Sequence, residues 1–310
     1  MILEIRNLIK RYGDTLAVDN VSLQIKEGEI YGLLGPNGAG KTTTINAITG
    51  ITKIDGGEIF VFGKNFSTHE YEVKKEIGIV PQDIAVFEDL TAWENVTFFG
   101  KLYGLRDGLL KERVEEALNF TGLWDRRKDF PKKYSGGMKR RLNIACAIVH
   151  HPKLIIMDEP TVGIDPQSRK HILQSVRELN RMGSTVIYTS HYMEEIEEIC
   201  TQITIMDHGR IIAGGTGDDL KSLISFEEKV DIDLATVNFT VLDNIKKLGG
   251  VKNAVVDGNK LTVLSHKNSK NLSSIIDTVS AAECEIISLN IDKPTLESVF
   301  LILTGRKLRD

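Results

Sequence analysis

Apolar and polar positions alternate at the start of the chain. Ile2, Leu3 and Ile5, then Val21, Leu23 and Ile25, fall between polar neighbours. A period of two puts one face of each segment in a core and predicts half-buried strands. Residues 30–34 (Ile-Tyr-Gly-Leu-Leu) and 154–157 (Leu-Ile-Ile-Met) are instead continuous apolar runs, the pattern of strands buried on both faces. Residues 56–63 read as a strand bounded by glycine turns, and 77–80 and 184–190 as further strands. Residues 203–206 and 211–213 flank Asp207-His208-Gly209 as a hairpin. From 83 to about 150 the spacing turns helical. Thr91-Ala92-Trp93-Glu94 is a capping-box sequence that opens a helix toward Tyr103. Met138, Leu142, Ala145 and Val149 share one face of a second helix, and Ile172, Val176 and Leu179 one face of a third. His150 and His151 read as favourable helix-end residues rather than metal ligands.

The character changes at Gly214-Gly215-Thr216-Gly217. Beyond it the pattern is strand 229–234, helix 241–248, strands 251–256 and 261–265, helix 272–281 and strand 285–291. That β-α-β-β-α-β order is ferredoxin-like. An amphipathic helix over 295–303 follows. The expected division is 1–225, with a helical subdomain at about 83–150, and 226–310, which holds no catalytic constellation.

Composition narrows the class. The chain has 310 residues, 41% hydrophobic and 26% charged, with a net charge of −4. These values fit a globular protein and give no global reason to expect nucleic acid. The basic runs Lys139-Arg140-Arg141 and Arg126-Arg127-Lys128 read as solvated faces. No stretch approaches the ~18 apolar residues of a membrane span, and the strand-like N-terminus lacks a signal peptide's apolar core. A cytoplasmic location without direct membrane insertion is expected, any membrane role passing through a partner. Cys146, Cys200 and Cys284 lack the spacing of a zinc site or a disulfide framework and are expected in the core.

The chemistry concentrates in Gly35-Pro36-Asn37-Gly38-Ala39-Gly40-Lys41-Thr42-Thr43, which fits G-x-x-x-x-G-K-[ST] between a buried strand and a helix that reads as starting near Thr44. Its glycines let backbone wrap a triphosphate closely, and the turn aims N–H groups and the helix dipole at phosphate oxygens. Lys41 reaches the β- and γ-phosphates, Thr42 ligates Mg²⁺ and Thr43 donates toward the α-phosphate. Asp158 and Glu159 end the buried strand at 154–157. Asp158 is suited to Mg²⁺ and Glu159 to orienting or deprotonating a water. Gln82 is either a polar loop residue or one that reaches a metal or water. His191, directly after a buried strand, is placed to sense a γ-phosphate. Ser135-Gly136-Gly137 opens a helix as an N-cap or an anion site, and the stretch alone favours the N-cap. Tyr12 either stacks on a purine or caps a hydrophobic edge. Phe87, Trp93, Phe98, Phe99 and Tyr103 are too many for one buried stripe, so either the core or a partner-facing groove takes them.

In this order the stretches resemble the nucleotide-binding subunits of ATP-binding-cassette transporters over residues 1 to about 217. Tyr12 corresponds to the adenine-stacking aromatic, 35–43 to Walker A, Gln82 to the Q-loop and 134–138 to the signature. Residues 154–159 correspond to Walker B, 162–165 to the D-loop and His191 to the switch histidine. Tyr134 and Met138 depart from the usual Leu-Ser-Gly-Gly-Gln, which leaves Ser135, Gly136 and Gly137. The D-loop keeps only Asp165 of Ser-Ala-Leu-Asp. Residues 295–300 and Leu303-Thr304-Gly305-Arg306 look, more loosely, like the tail of drug- and antibiotic-exporter ATPases.

The resemblance implies an α/β P-loop NTPase cassette with a mixed β-sheet core, an antiparallel β subdomain and a helical subdomain, followed by a small α+β domain. It implies ATP and Mg²⁺ as cofactors, and a head-to-tail homodimer or heterodimer in which Ser135–Gly137 of one subunit face the ATP of the other. Glu159, Gln82 and His191 are then catalytic, Thr42, Gln82 and Asp158 hold the metal, and Asp165 couples the two sites. A separate integral membrane permease receives the movement through residues 82–103, holding the protein peripherally at the inner face of the membrane. The alternative is a soluble cassette ATPase acting on nucleic acid or the ribosome. One cassette, no sustained heptads and no identified basic face weigh against it.

Overall fold

The computed structural model describes residues 1–223, 227–266, 269–292 and 295–304. The chain divides into two compact units, Met1–Gly217 with Leu303 and Thr304, and Asp218–Ile302. In the first, β1 (Leu3–Tyr12) and β2 (Thr15–Ile25) form an antiparallel ribbon pairing Leu3 with Ile25 and Tyr12 with Thr15. Register shifts after Ile5 and Leu8 let β1 run on past its alternating start. Next come β3 (Ile30–Leu34), buried throughout, and α1 (Lys41–Ile48), which starts at Lys41 rather than near Thr44. β4 (Gly56–Val61) pairs antiparallel with β1, and β5 (Lys64–Asn65) with β4. Asn65 caps α2 (Phe66–Lys74), a helix the apolar spacing did not reveal.

β6 (Ile77–Val80) leads into the helical stretch: α3 (Ala92–Leu102), α4 (Asp107–Phe120) and α5 (Gly136–Ile148). Thr91 and Glu94 form the capping box that the sequence indicates. Then follow β7 (Leu154–Met157), α6 (Pro166–Arg181), β8 (Thr185–Ser190), α7 (Met193–Ile199), β9 (Gln202–Asp207) and β10 (Arg210–Gly215). The central sheet has the order β10-β9-β3-β8-β7-β6, parallel except for the β9–β10 hairpin. β3 and β7 are buried along their whole length, which is why they read as continuous apolar runs. Leu3, Ile5, Val21 and Ile25 of the antiparallel sheet share one core with Ile45, Ile48, Leu33, Ile156 and Ile187. That core fixes the strand ends from which the polar loops emerge.

The remaining elements are α8 (Gly217–Ser222), β11 (Glu227–Leu234), α9 (Phe239–Lys246), β12 (Val251–Asp257), β13 (Lys260–His266), α10 (Leu272–Ala281), β14 (Ile286–Asp292) and α11 (Leu296–Thr304), those from Asp218 to Ile302 forming the second unit. The second unit's sheet has the order β12-β13-β11-β14 with every pair antiparallel, over a core including Val230, Ile232, Val263, Ile275 and Val279. Gly305 and Arg306 of the exporter-like tail lie outside the described residues.

Two expectations are corrected. His150 is not a charged helix-end residue. Its ring stacks on Tyr103 at 3.5 Å, and burial pushes its pKa down to about 4. Arg140 is not on a solvated face but 3% exposed, because the loop after β6 covers that side of α5. Of the five aromatics, Tyr103 lines an open apolar groove with Ile51, Tyr71, Ile77, Ile79 and Leu102, and Trp93 lines a second hollow with Trp124. Phe87, Phe98 and Phe99 pack on one another, and Trp93 on Trp124. As expected, Cys146 and Cys284 are buried; Cys200 is partly so.

Candidate functional site

The loop between β3 and α1 is shaped by close backbone packing. A Cβ on Gly35 would lie 2.5 Å from the Met206 carbonyl oxygen, and one on Gly40 2.6 Å from that of Ala17. Gly40 also has φ 99°, where side chains other than glycine's are strained. Lys41 is drawn back into this loop: its Nζ donates to the carbonyls of Gly35 (2.7 Å) and Pro36 (3.2 Å). Burial lowers its pKa, opposed by the nearby carboxylates of Glu159 and Asp158. A buried cation among carbonyls and N–H groups suits a polyanionic ligand.

The strand ends bring the acids to the same place. Lys41 Nζ lies 3.8 Å from Glu159 Oε1, and His191 Nδ1 lies 3.2 Å from Glu159 Oε2. Glu159 has φ 46°, a left-handed conformation that a non-glycine residue keeps only when its surroundings enforce it. Thr189 on β8 is part of that enforcement. Its hydroxyl donates to Asp158 Oδ1 (2.6 Å) and accepts from the Glu159 backbone N–H (2.8 Å). Asp158 is buried, and its own N–H donates to the Val80 carbonyl, two residues before Gln82.

Asn37, Gly38, Ala39, Gly40, Lys41, Thr42, Thr43, Gln82 and Glu159 line one cleft of about 760 Å³. His208 and Arg210 of the β9–β10 hairpin and residues 15–17 and 19 of β2 line it too. The sequence marked the hairpin, but nothing in it says that a loop about 170 residues away lies beside Lys41. Gln82 is held by its backbone, since Arg140 from α5 donates to the carbonyls of Pro81 (2.6 Å) and Gln82. Neither Thr189 nor Arg140 was legible as a site residue, because a threonine in a strand and an arginine in a basic run are ordinary.

Tyr12, Ser135, Gly136, Gly137 and Asp165 do not line that cleft. Tyr12 is half exposed, its ring near Lys10 Nζ and its hydroxyl 3.3 Å from Thr52 Oγ1. Ser135 is the N-cap of α5, accepting from the Met138 N–H. Asp165 is the N-cap of α6, accepting from the Ser168 N–H. These two helix starts touch: a Cβ on Gly137 would come 2.7 Å from Ser168 Cβ and 3.5 Å from Asp165 Oδ2. The sites thus form two groups, one around Lys41 and Glu159 and one at the paired starts of α5 and α6.

A family model described as ABC transporter matches residues 18–162. The chain is 46% identical over 311 residues to the linearmycin resistance ATP-binding protein LnrL of Bacillus subtilis, with 100% of both chains covered. The chain belongs to the ABC transporter family. It is an ABC ATPase with an α/β P-loop NTPase cassette. It is also 35% identical over 318 residues to the daunorubicin/doxorubicin resistance ATP-binding protein DrrA of Streptomyces peucetius, covering 99% of this chain and 94% of that one. A dimeric ATP-binding cassette, MJ0796, solved with ADP and Pi, superposes with a TM-score of 0.64 at 28% identity. It covers 69% of this ABC chain and 98% of its own. The nucleic-acid or ribosome alternative gains no support from these relatives.

Proposed function

We propose that this ABC ATPase powers an exporter by closing a dimer of cassettes around two ATP molecules and passing that movement to a separate membrane permease. One observation carries the reading. Lys41, Gln82 and Glu159 line one cleft, with His191 against Glu159 and Asp158 beside it on Thr189, while Ser135, Gly136, Gly137 and Asp165 stand outside it at paired helix starts. A site divided this way needs a second copy, or a related cassette, to present its signature to the nucleotide. The resistance functions named for the relatives favour export.

In this reading the phosphate loop and Lys41 hold the triphosphate, and Tyr12 packs on the adenine. Glu159 polarises the attacking water, oriented by His191, and Asp165 reports one site to the other. Thr42, Asp158 and Gln82 would hold Mg²⁺, which would supply charge neutralisation to the phosphates. The donor set fits a metal that arrives with its nucleotide: among the described residues no three His, Cys, Asp or Glu side chains are placed to hold one alone. ATP bridges two sets of backbone donors, so binding closes the dimer and hydrolysis reopens it.

No described helix is long and apolar enough to cross a membrane, which favours attachment at the inner face through the permease. The apolar groove of Ile51, Tyr71, Leu102 and Tyr103, about 400 Å³, adjoins β6, the strand that leads to Gln82, and suits a permease helix. We read the second unit, from its strand order, as a ferredoxin-like accessory domain.

Glu159→Gln tests the assignment. It keeps shape and hydrogen bonding but removes the base, whose contribution is typically ~10²–10⁴ in rate. Gel filtration with Mg-ATP should show a persistent dimer that turns over slowly. Normal hydrolysis, or a variant that stays monomeric while wild type dimerises, refutes it.

A further inference from the structure

Glu195 is 2% exposed, in the short helix after His191, and the catalytic scheme above leaves it no task. Its neighbour Glu194 faces solvent, as helix residues near an N-terminus usually do. Glu195 turns inward instead, and its Oε2 accepts three hydroxyl hydrogen bonds: from Thr161 (2.8 Å), Tyr188 (2.9 Å) and Ser190 (2.9 Å). The Arg169 guanidinium lies 3.3 Å from Oε1 and stacks over the Tyr192 ring at 4.2 Å. The Ser190 hydroxyl also accepts from the Tyr192 N–H, spanning His191.

The partners come from three segments, each of which carries a different active group. Thr161 follows Glu159 by two residues. Ser190 and Tyr192 flank His191. Arg169 lies in the first turn of α6, where its N–H donates to the Asp165 carbonyl. A core designed for stability alone gains little from a buried ion pair over apolar packing. A carboxylate that accepts three hydroxyl hydrogen bonds and pairs with one guanidinium instead ties three segments together, so that none shifts without losing a polar contact in low-dielectric surroundings.

We propose that Glu195 is a positioning residue, through which the His191 turn, the loop after Glu159 and the Asp165 helix move as one unit during turnover. The inference rests on the ATPase reading above. The charged pair with Arg169 matters because it is the only one of these contacts that reaches α6. Glu195 makes no contact with nucleotide in this scheme. Its loss disturbs the geometry in which Glu159 and His191 act and leaves the phosphate loop alone.

The test is a double-mutant cycle in the full chain with Glu195→Gln and Arg169→Met, read as steady-state ATP hydrolysis, KM for ATP and thermal melting. Glu195→Gln keeps volume and can still accept hydroxyl bonds. It should lower kcat about tenfold with KM within about twofold, the signature of an interaction used in the transition state rather than in binding. Arg169→Met should do the same, the double variant should be little worse than either, and Arg169→Lys should recover part of the rate. Active wild type with unchanged kcat in both single variants overturns the proposal. So does a kcat loss that matches the fraction unfolded, or effects that multiply in the double variant. Should Glu195→Gln fail to fold, the Arg169→Met and Arg169→Lys pair decides alone: no loss in the first, or no recovery in the second, overturns it. Wild type that neither binds nor hydrolyses ATP would instead refute the ATPase reading itself.

Discussion

At the scale of single residues, the polar groups that matter are those whose surroundings contradict their chemistry. Lys41 is a buried cation, Glu159 a non-glycine residue at positive φ, and His150 an imidazole stacked under Tyr103. His150 yields a pH prediction. Desolvation favours its neutral form and outweighs the opposing hydrogen bond to the Ile77 carbonyl, so the folded pKa falls to about 4. The unfolded chain therefore binds more protons between about pH 6.5 and 4. Stability from this site is complete above that window and is lost as pH falls through it, by up to about 3 kcal/mol. Urea denaturation at pH 7 and 4.5 should show a smaller acid loss in His150→Phe, which keeps the stacking and cannot titrate. An equal loss in both proteins would contradict the assignment.

Among elements, the informative contact is between the starts of α5 and α6. Gly137 leaves no room for a methyl group against Ser168, so the signature turn and the helix that Asp165 caps meet almost backbone to side chain. Gly137→Ala should force them apart, at about 1–3 kcal/mol if the strain is typical of overpacking. ATP binding by the isolated chain should survive, because the phosphate loop is in another group of residues, while turnover falls. Removing the obstructing atoms with Ser168→Gly should restore it. Equilibrium binding of a fluorescent ATP analogue and steady-state hydrolysis on the three variants measure this. A single Gly137→Ala variant of full activity would mean the helix starts are not coupled as described. Arg140 shows the same principle further along α5, which reaches the backbone of Gln82 through a guanidinium that the sequence placed in solvent.

At the scale of the whole molecule, the division of the site between two groups predicts complementation. Take Lys41→Ala and Ser135→Arg, each expected to inactivate a homodimer. A mixed dimer then has one interface with both lesions and one with an intact phosphate loop facing an intact signature. Random pairing makes about half the dimers mixed, each with one sound site, so roughly a quarter of wild-type activity should return. Two affinity tags, one on each variant, isolate the mixed dimers for assay. Purified mixed dimers with no hydrolysis would argue that each site is confined to one chain.

The order of motifs was legible because its chemistry is local. A phosphate loop needs its glycines, lysine and threonines within nine positions, and a buried parallel strand announces itself as an apolar run ending in Asp158 and Glu159. The capping box at Thr91 and the strand-and-helix order of the second unit were legible for the same reason, since caps and periodicity act over a few residues. What the sequence could not disclose depends on which strand ends become neighbours. Sheet order sets β8 beside both β3 and β7, and so delivers Thr189 to Asp158, His191 to Glu159 and Glu195 to Thr161. None of these pairs is closer than 30 residues along the chain. Burial is equally non-local: Arg140 and His150 look like surface residues until the loop after β6 and the Tyr103 ring cover them. Hydrophobic periodicity thus decided which segments form and which face each one buries, while the pairing of strands decided which polar side chains share a low-dielectric site.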